Sequence, residues 1–321
     1  MEQPPLKLRP ASLTIICPMK NEAGNLAAFF ARLVPVLESV ADTYEILCIN
    51  DGSSDDTLPQ LLLARERNPH IRIADLSRNF GKEAALTCGI ELARGDVVIP
   101  MDADLQHPPE VIPDMVRHWR EGFEVVLAKR QSREAEHWAR RTTAGWFYRL
   151  QNRISEVDIP ADVGDFRLMD RKVIEALKRL PERRRFMKGL FAWAGFRQTT
   201  VTFVCEPRYA GSSKFSGWRL WNFALEGITS FSTVPLRIWT YIGSTIAAFA
   251  LVYAVFLLLK TLIYGRDVPG YASLITSVLF LGGLQLAGLG VLGEYIGRIY
   301  GEVKQRPIYI VRDLYDFPDR S

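Results

Sequence analysis

Short apolar runs alternate with amphipathic helical patterns between Leu13 and about Leu127. The apolar runs have strand length, and apolar residues recur every three or four positions in the segments between them. Strands separated by helical patterns predict βαβ units and a mostly parallel sheet. The predicted strands are Leu13–Cys17, Tyr44–Asn50, Ile71–Leu76, Asp96–Met101 and Glu124–Leu127, and the predicted helices are Ala23–Val40, Asp56–Asn68, Lys82–Ala93, Pro109–Glu121 and Glu134–Glu156.

Two long apolar segments in the last third of the chain predict a transmembrane hairpin. Ile238–Leu259 has 22 residues and Val268–Gly293 has 26 residues without a charged side chain. Each exceeds the ~20 residues that span a hydrocarbon core of ~30 Å. A buried helix pair of a soluble protein is the alternative, which is disfavoured because two adjacent charge-free segments of this length are rare in soluble cores.

Basic residues around the two spans predict which side of the membrane holds the rest of the chain. Seven flank the pair on its outer sides and two lie in the connecting segment, so both termini are expected in the cytoplasm. The first residues lack an apolar run, so no secretory signal is expected. The flanking residues are Lys214, Arg219, Arg237, Arg298, Lys304, Arg306 and Arg312, and those of the connection are Lys260 and Arg266.

A short amphipathic segment precedes the first span. Trp218, Trp221, Leu225, Ile228 and Phe231 recur at helical spacing, which predicts a helix lying in the membrane interface. A helix packed on the soluble domain is the alternative interpretation. The expected organisation is a soluble domain at 1–215, an interfacial helix at 216–234, a hairpin at 235–296 with spans of about 238–260 and 271–293, and a cytoplasmic tail at 297–321.

The amino-acid composition is informative only when the charged domain and the apolar hairpin region are considered separately. Its mean hydropathy of +0.01 averages a charged domain with a hairpin region that carries only Lys260, Arg266 and Asp267 between Ile238 and Gly293. This split excludes a purely soluble enzyme and a polytopic transporter, and the 48% hydrophobic content excludes disorder. The net charge of +4 is too small to indicate a nucleic-acid partner.

The four cysteines are expected to be reduced structural thiols. They form no C-x-x-C pair and share no metal-ligand spacing with a histidine. The residues are Cys17, Cys48, Cys88 and Cys205.

Polar clusters follow four of the predicted strands. Each alone is explained as a turn or a helix cap. Because ligands of parallel sheets bind beyond the carboxyl ends of the strands, four clusters at one edge predict a shared ligand site. The clusters are Pro18-Met19-Lys20-Asn21-Glu22, Asp51-Gly52-Ser53-Ser54-Asp55-Asp56-Thr57, Ser77-Arg78-Asn79-Phe80-Gly81-Lys82 and Asp102-Ala103-Asp104-Leu105-Gln106-His107-Pro108.

The chemistry of these clusters indicates a nucleotide diphosphate with a divalent ion. Asp102 and Asp104 lie two residues apart at a strand end, so their carboxylates share one side. With the Gln106 carbonyl oxygen they suit Mg²⁺ or Mn²⁺. Lys82 and Arg78 add positive charge for a diphosphate. Asp51 ends a strand and is able to accept hydrogen bonds from a base or ribose.

Two nucleotide motifs are excluded. No G-x-x-x-x-G-K-[ST] sequence occurs, which argues against an ATPase or kinase. Gly288-Leu289-Gly290-Val291-Leu292-Gly293 matches G-x-G-x-x-G but lies inside the second span, where small residues serve close helix packing.

These motifs in this order resemble the inverting GT-A glycosyltransferases of family 2, and more narrowly the polyisoprenyl-phosphate glycosyltransferases. The resemblance covers about Leu13 to Arg312. The two C-terminal spans and Val163-Gly164-Asp165-Phe166-Arg167-Leu168 are most similar to the bactoprenol glucosyltransferase branch. The motifs that carry it are Pro18 with Asn21-Glu22, Asp51-Gly52-Ser53-Ser54-Asp55, Arg78-Asn79-x-Gly81-Lys82, Asp102-Ala103-Asp104-Leu105-Gln106 and Arg208-Tyr209-Ala210-Gly211-Ser212-Ser213-Lys214.

The resemblance implies a fold: a GT-A, Rossmann-like α/β domain with a mostly parallel sheet, interfacial amphipathic helices and a two-helix C-terminal transmembrane hairpin. It also implies site residues. The donor-binding residues it implies are Pro18, Asn21, Glu22, Asp51, Arg78, Lys82, Asp102, Ala103 and Asp104, and the metal ligands are Asp102, Asp104 and Gln106. The residues implied to bind the acceptor phosphate and the diphosphate are Arg130, Arg141, Arg208, Ser213 and Lys214. The catalytic residues implied are Asp165, Asp104 and Arg130.

The implied reaction is inverting transfer of a sugar, with UDP-glucose preferred, to undecaprenyl phosphate at the cytoplasmic face of the inner membrane. UDP-N-acetylglucosamine, an aminoarabinose donor and GDP-mannose remain alternatives. A non-catalytic nucleotide-sugar-binding scaffold is the rival from another class. A processive polysaccharide synthase is disfavoured because the Q-x-x-R-W motif is absent. Small residues in the spans allow a homo-oligomer, a tetramer by the resemblance. His107 is interpreted as structural.

Overall fold

The structure is a computed structural model that describes residues 12–131, 163–183, 185, 187–204, 234–264 and 270–315. The predicted helix Glu134–Glu156, residues 216–233 of the predicted interfacial helix, and Arg141, Cys205, Arg208, Ser213 and Lys214 lie outside these ranges.

The described residues contain eight strands of one sheet and eight α-helices. The strands are β1 (Ser12–Met19), β2 (Thr43–Asn50), β3 (Ile71–Leu76), β4 (Val97–Pro100), β5 (Val125–Arg130), β6 (Val163–Asp170), β7 (Gln198–Phe203) and β8 (Val311–Tyr315). The helices are α1 (Leu26–Val40), α2 (Thr57–Arg67), α3 (Lys82–Leu92), α4 (Ile112–Arg120, after a 3₁₀ turn at Pro109–Val111), α5 (Arg171–Lys178), α6 (Met187–Trp193), α7 (Val234–Tyr264) and α8 (Tyr271–Val303).

The sheet has the order β7-β5-β6-β4-β1-β2-β3-β8. Strands β4, β1, β2 and β3 run parallel to one another, as do β5 and β7. The mostly parallel α/β sheet predicted from the sequence is therefore confirmed. Antiparallel strands occur at two places, where β6 lies between β4 and β5 and where β8 pairs with β3.

Strand β1 is buried on both faces of the sheet. Ile15 packs in the cluster that contains Phe29 and Leu33 of α1, whereas Ile16 packs in the opposite cluster beneath α3. A Cβ on Gly89 of α3 would lie 2.2 Å from Cγ2 of Ile16, so this glycine lets the helix lie against the strand. Burial on both faces explains why β1 appears in the sequence as a continuous apolar run rather than an alternating one.

The strand β8 joins the last described residues to the eight-stranded sheet. Val311 lies opposite Leu76 of β3, and the Ser77 N–H donates to the Ile310 carbonyl at 2.9 Å. Arg312 donates to the Ser77 carbonyl at 2.7 Å. The sequence analysis assigned 297–321 to a tail and did not predict this strand.

Helices α7 and α8 pack against each other. A Cβ on Gly288 would lie 3.4 Å from the ring of Trp239, so the glycine admits the indole. The Gly288–Gly293 motif lies wholly within α8, which confirms that it does not form a strand-to-helix nucleotide turn.

Among the described residues, one helical segment, Thr276–Val303, is long and apolar enough to cross a membrane, and α7 contains the shorter apolar segment Ile238–Tyr253. Helix α8 continues ten residues past the predicted end of the second span at Gly293. This continuation carries the Glu294–Arg298 ion pair at 3.1 Å. Two spans and their orientation stay predictions.

Candidate functional site

The polar loops converge at the carboxyl edge of the parallel strands. The strand order reverses between β1 and β4, because β2 and β3 lie on one side of β1 and β4 lies on the other. Such a switch point opens a crevice in which ligands of doubly wound sheets bind. Strand β6 runs antiparallel to β4, so its first residues, including Asp165, reach the same edge. The topology thus brings Asp165 to the crevice from a distant part of the sequence.

The loops after β1 and β2 are joined by hydrogen bonds through Asn21. Its side-chain oxygen accepts from the Ser54 N–H at 2.8 Å, and its own N–H donates to the Ser53 hydroxyl at 3.0 Å. Asn21 has a φ of +57°, a conformation that asparagine tolerates better than most residues. The residue therefore shapes the crevice wall as well as lining it. Next to it, the Glu22 N–H donates to the Thr57 hydroxyl at 2.9 Å.

Asp51 ties the end of β2 to the loop before α3. It is 4% exposed, and its carboxylate accepts from the Phe80 N–H at 2.7 Å and the Gly81 N–H at 3.0 Å. Burial raises the pKa of Asp51, and these two hydrogen bonds oppose the rise without cancelling it. Each oxygen keeps a second lone pair, so contact with a ribose or base is compatible with this structural role.

Gly52 permits the close approach of these two loops. It has a φ of +60°, and a Cβ there would lie 2.5 Å from the backbone nitrogen of Asn79. Arg78, in the facing loop, donates to the Asn79 carbonyl at 3.0 Å and stacks over the Phe80 ring at 4.1 Å. The conformation of the Arg78 loop thus depends on the absence of a side chain at position 52.

Lys82 is the first residue of α3 and bridges two carboxylates. Its Nζ lies 2.7 Å from Asp102 Oδ1 and 2.8 Å from Asp165 Oδ2. Burial alone would lower the pKa of Lys82, but the two carboxylates more than offset this effect and the pKa is raised. The lysine is therefore charged at neutral pH. The structure thus brings together Asp102 and Lys82, which were predicted to bind the donor, and Asp165, which was predicted to be catalytic.

The turn after β4 has the chemistry of a partial metal site. Asp104 is 8% exposed, and its Oδ1 accepts from the Gln106 N–H at 3.1 Å, which tightens the turn. Leu105 between them has a φ of +59°, a strained conformation for a branched residue, and its side chain is buried. The buried Leu105 side chain and the Asp104–Gln106 hydrogen bond maintain this strained turn, which lies at the edge of the crevice.

The donor set fits an ion that is completed by a substrate. Among the residues that the structure describes, no group of three or more His, Cys, Asp or Glu side chains is arranged to hold a metal. Mg²⁺ and Mn²⁺ in phosphoryl sites are typically held by one or two carboxylates together with substrate phosphates. Asp102 and Asp104 match that pattern, because they supply hard oxygen ligands without closing a cage.

His107 directly follows the turn Asp102–Gln106, here called the metal turn, and packs against aromatic rings. Its ring centroid lies 5.1 Å from that of Phe166 and 5.5 Å from that of Phe203. Burial lowers the pKa of His107, although the carboxylates of Asp102 and Asp104 act in the opposite direction. A neutral imidazole packed against aromatic rings agrees with the sequence-based interpretation that His107 has a structural role.

Arg167 is a site-supporting residue that the sequence analysis missed. It is 5% exposed, donates to the Gly164 carbonyl at 2.8 Å and stacks over the Phe191 ring at 4.2 Å. Burial lowers its pKa to about 10, an effect that the nearby Asp165 carboxylate opposes. Arg167 thereby fixes the backbone next to Asp165. The spacing of Asp165 and Arg167 could have indicated this role, because residues two apart in a strand lie on the same face of the sheet.

The structure describes some of the other predicted site residues, and the rest lie outside the described ranges. Pro18 lies in β1 and Ala103 is buried in the metal turn, so both line the crevice by backbone position. Arg130 ends β5 at the same edge and is exposed. The remaining acceptor residues, Arg141, Arg208, Ser213 and Lys214, lie outside the described ranges.

Two family descriptions match the chain. A model for glycosyl transferase family 2 matches residues 14–178, which cover β1 to α5 and the whole crevice. A model described as the GtrB C-terminal hairpin matches residues 234–299, which cover α7 and most of α8.

Curated relatives are similar over nearly the full chain. An uncharacterized glycosyltransferase of Synechocystis is 58% identical over 94% of this chain and 95% of its own. A prophage-derived bactoprenol glucosyl transferase of Shigella flexneri is 49% identical over 94% of this chain and 97% of its own. Among solved structures, a mannosyltransferase of Pyrobaculum calidifontis in complex with GDP-Man and Mn²⁺ has 16% identity and a TM-score of 0.47, over 94% of this chain and 90% of that one.

Proposed function

Because the chain belongs to glycosyl transferase family 2, we propose that this glycosyltransferase moves glucose from UDP-glucose to the phosphate of undecaprenyl phosphate. The product is a lipid-linked sugar donor for glycan modification of the cell envelope. The relatives that carry the name bactoprenol glucosyl transferase support the sugar and the lipid carrier.

One observation supports a membrane acceptor above the others. The loop after β3, which carries Arg78, is hydrogen-bonded through Ser77 to Ile310, in the segment that follows α8. The carboxyl edge of the sheet is therefore joined to the segment that follows the apolar helix. A lipid phosphate held at the membrane surface would approach the edge that carries Lys82, Asp102 and Asp165.

The length of α8 agrees with this arrangement. Its 33 residues extend about 50 Å at 1.5 Å per residue, against a hydrocarbon core of ~30 Å. The charged end that begins at Glu294 would project into the cytoplasm and support the catalytic domain at headgroup level. We propose two spans with both termini and the catalytic domain in the cytoplasm, as the flanking basic residues indicate.

The donor is proposed to occupy the switch-point crevice. Pro18, Asn21, Glu22 and Asp51 would line the nucleoside end, and Arg78 and Lys82 would face the diphosphate. Asp102 and Asp104, with Gln106, would hold Mg²⁺ or Mn²⁺. When bound, such an ion supplies positive charge that stabilises a leaving diphosphate.

The acceptor phosphate needs positioning more than deprotonation. Its second pKa is ~6, so it is largely a dianion at neutral pH and is already a nucleophile. Attack by one of its oxygens at the anomeric carbon, opposite the departing diphosphate, would invert the configuration and give a β-linked product from an α-linked donor.

Asp165 is proposed to orient the acceptor and take a residual proton. Arg130 at the end of β5, with Arg141, Arg208, Ser213 and Lys214, is proposed to gather the acceptor phosphate and the diphosphate. Positive charge is required there because two anionic substrates must come together.

A donor panel tests the proposal. The full chain in nanodiscs with undecaprenyl phosphate is given UDP-glucose, UDP-N-acetylglucosamine, an aminoarabinose donor or GDP-mannose, and the lipid product is identified by mass. We expect glucosyl phospholipid as the main product. A different sugar in the product would reassign the donor, and no product from any donor, despite nucleotide binding, would support a binding scaffold instead.

A further inference from the structure

One lysine joins the donor half of the crevice to the acceptor half. The Nζ of Lys82 lies within 2.8 Å of both the Asp102 and the Asp165 carboxylates. Asp102 follows β4 in the metal turn, whereas Asp165 lies near the start of β6. The two carboxylates are separated by little more than the ammonium group between them, so the cation offsets their mutual repulsion.

The lysine and a divalent ion would compete for the same oxygens. The described residues hold no preformed set of three or more metal-binding side chains. Because Asp102 is already paired with Lys82, an ion arriving alone would have to displace a bound ammonium group. An ion that arrives with a diphosphate brings oxygen ligands for itself and an alternative anionic partner for the lysine.

We propose that Lys82 is an internal counter-cation that keeps metal affinity low until a nucleoside diphosphate binds. The inference rests on the proposed function, because the diphosphate of the donor is what draws the lysine away. In the donor complex Lys82 pairs with phosphate oxygens, which frees Asp102 for the ion and Asp165 for the acceptor. Metal and nucleotide therefore bind cooperatively, and Asp165 becomes available only after the donor is in place.

The local structure suits a lysine that changes partners. The backbone before it is fixed, since the Gly81 N–H donates to Asp51 at 3.0 Å. The side chain keeps 43% of its surface exposed, which leaves room for movement toward the crevice. A lysine is a point charge on a flexible stem with rotatable donors, whereas an arginine would favour one fixed bidentate pairing.

The test measures binding of Mn²⁺ alone and with UDP or GDP, using the full chain in nanodiscs and the electron paramagnetic resonance signal of free Mn²⁺. In the unsubstituted chain we expect the preferred nucleotide to tighten Mn²⁺ binding by at least about tenfold, which is within the usual range of coupling between sites. Lys82→Met should bind Mn²⁺ without nucleotide at least about tenfold more tightly than the unsubstituted chain and should lose most of the coupling.

Three further variants separate this role from a general loss of charge. Lys129→Met removes a positive charge from the end of β5 at the same sheet edge, where the side chain is exposed, so metal binding without nucleotide should change less than threefold. Lys82→Arg keeps the charge and should keep metal affinity low. Lys82→Met combined with Asp165→Asn should keep most of the gained affinity, because the gain comes from the freed Asp102 carboxylate and not from a change in net charge.

The outcomes are distinguishable from those that concern the sugar-transfer reaction. Unchanged Mn²⁺ affinity in a folded Lys82→Met chain that keeps full nucleotide coupling would overturn the inference and leave the reaction intact. Absence of coupling in the unsubstituted chain with both nucleotides would overturn the inference and the proposed donor together. If Lys82→Met lowers the thermal unfolding temperature strongly, Lys82→Gln replaces it, with the same expected gain in metal affinity.

Discussion

Glu302, in the last turn of α8, accepts hydrogen bonds from the backbone N–H of Arg183 with both carboxylate oxygens, at 3.1 and 3.0 Å. The Arg183 side chain donates in turn to the Arg306 carbonyl. The segment between α5 and α6 is thus fastened to the apolar helix at the point where that helix meets the catalytic domain.

Loss of this link should uncouple lipid transfer from donor binding. We expect Glu302→Ala to cost about 1–3 kcal/mol of stability, because an N–H loses a charged acceptor, and to slow transfer to lipid in nanodiscs severalfold. UDP affinity by calorimetry should stay within twofold. Glu302→Gln, which keeps one acceptor oxygen, should be milder in both respects. An equal fall in UDP affinity and transfer rate would contradict a purely anchoring role.

Asp104 offers a test of the metal assignment. Asp104→Ala should abolish the Mn²⁺-dependent part of UDP-glucose binding measured by calorimetry. Asp104→Asn is the matched control for the turn, because its amide oxygen still accepts from the Gln106 N–H while the negative charge is lost. Both variants should lose the metal dependence. If the asparagine variant kept it, the carboxylate would be a turn-forming group rather than a ligand.

Alanine substitutions at Gly52 and Gly81 should distinguish the stability cost of backbone strain from that of steric overlap. Both have a positive φ, but a Cβ on Gly81 has no atom within 4 Å, whereas one on Gly52 would meet the Asn79 nitrogen at 2.5 Å. Gly81→Ala should cost about 1 kcal/mol and Gly52→Ala about 2–4 kcal/mol in the free energy of unfolding. Denaturant titration of the two variants gives the comparison. Equal costs would show that the β2 loop relaxes freely.

The buried thiols should be unreactive in the native protein. Cys17, Cys48 and Cys88 are free and buried. Burial raises the pKa of all three thiols, that of Cys88 to about 12. Because a raised pKa keeps the thiol protonated, the thiolate fraction of Cys88 at pH 8 is on the order of 10⁻⁴.

Alkylation at pH 8 followed by peptide mass mapping checks this expectation. All three peptides should be unmodified before denaturation and fully modified after it. Raising the pH to 9 should increase the thiolate fraction tenfold but leave labelling slow, because access is also blocked. Rapid native labelling of Cys88 would show that the packing of α3 opens.

Two shortened chains compare the role of helices α7 and α8 with that of β8, the strand that follows them. Replacing residues 238–293 by a flexible linker should preserve donor binding and abolish transfer to membrane lipid. Ending the chain at residue 237 should also lower stability, because β3 then loses β8. Thermal unfolding and UDP binding of the two truncated chains distinguish these effects. Undiminished transfer to membrane-bound lipid phosphate by the linker variant would contradict the role proposed for the helices.

The first five strands and their loops were predictable because each is buried on both faces or followed by a polar turn. Continuous apolar runs such as Ile71–Leu76 leave few alternatives to a central strand. The edge location of Asp51, Lys82 and Asp102 then follows from the parallel topology alone. The direct contact between Lys82 and Asp165 was not predictable, since it depends on β6 running antiparallel beside β4.

The remaining strands gave weak signals for physical reasons. β7 is an edge strand whose exposed threonines alternate with buried Val201 and Phe203, and β8 has only five residues, two of which are charged. β6 contains two charged residues, Asp165 and Arg167, at its end nearest the crevice. They interrupt the hydrophobic pattern from which a strand is recognised.

The pairing of β8 with β3 also sets an order of events during synthesis. Leu76 leaves the ribosome long before Val311, the residue opposite it in the sheet, and at ~5–20 residues per second the interval is roughly 10–50 s. Both apolar helices are translated within that interval. The edge of β3 thus stays open until both helices have been translated, and a nascent chain completes its sheet only after the segments proposed to enter the bilayer have emerged. Unpaired strand edges promote aggregation, so slower synthesis of those helices would prolong the vulnerable period of the catalytic domain.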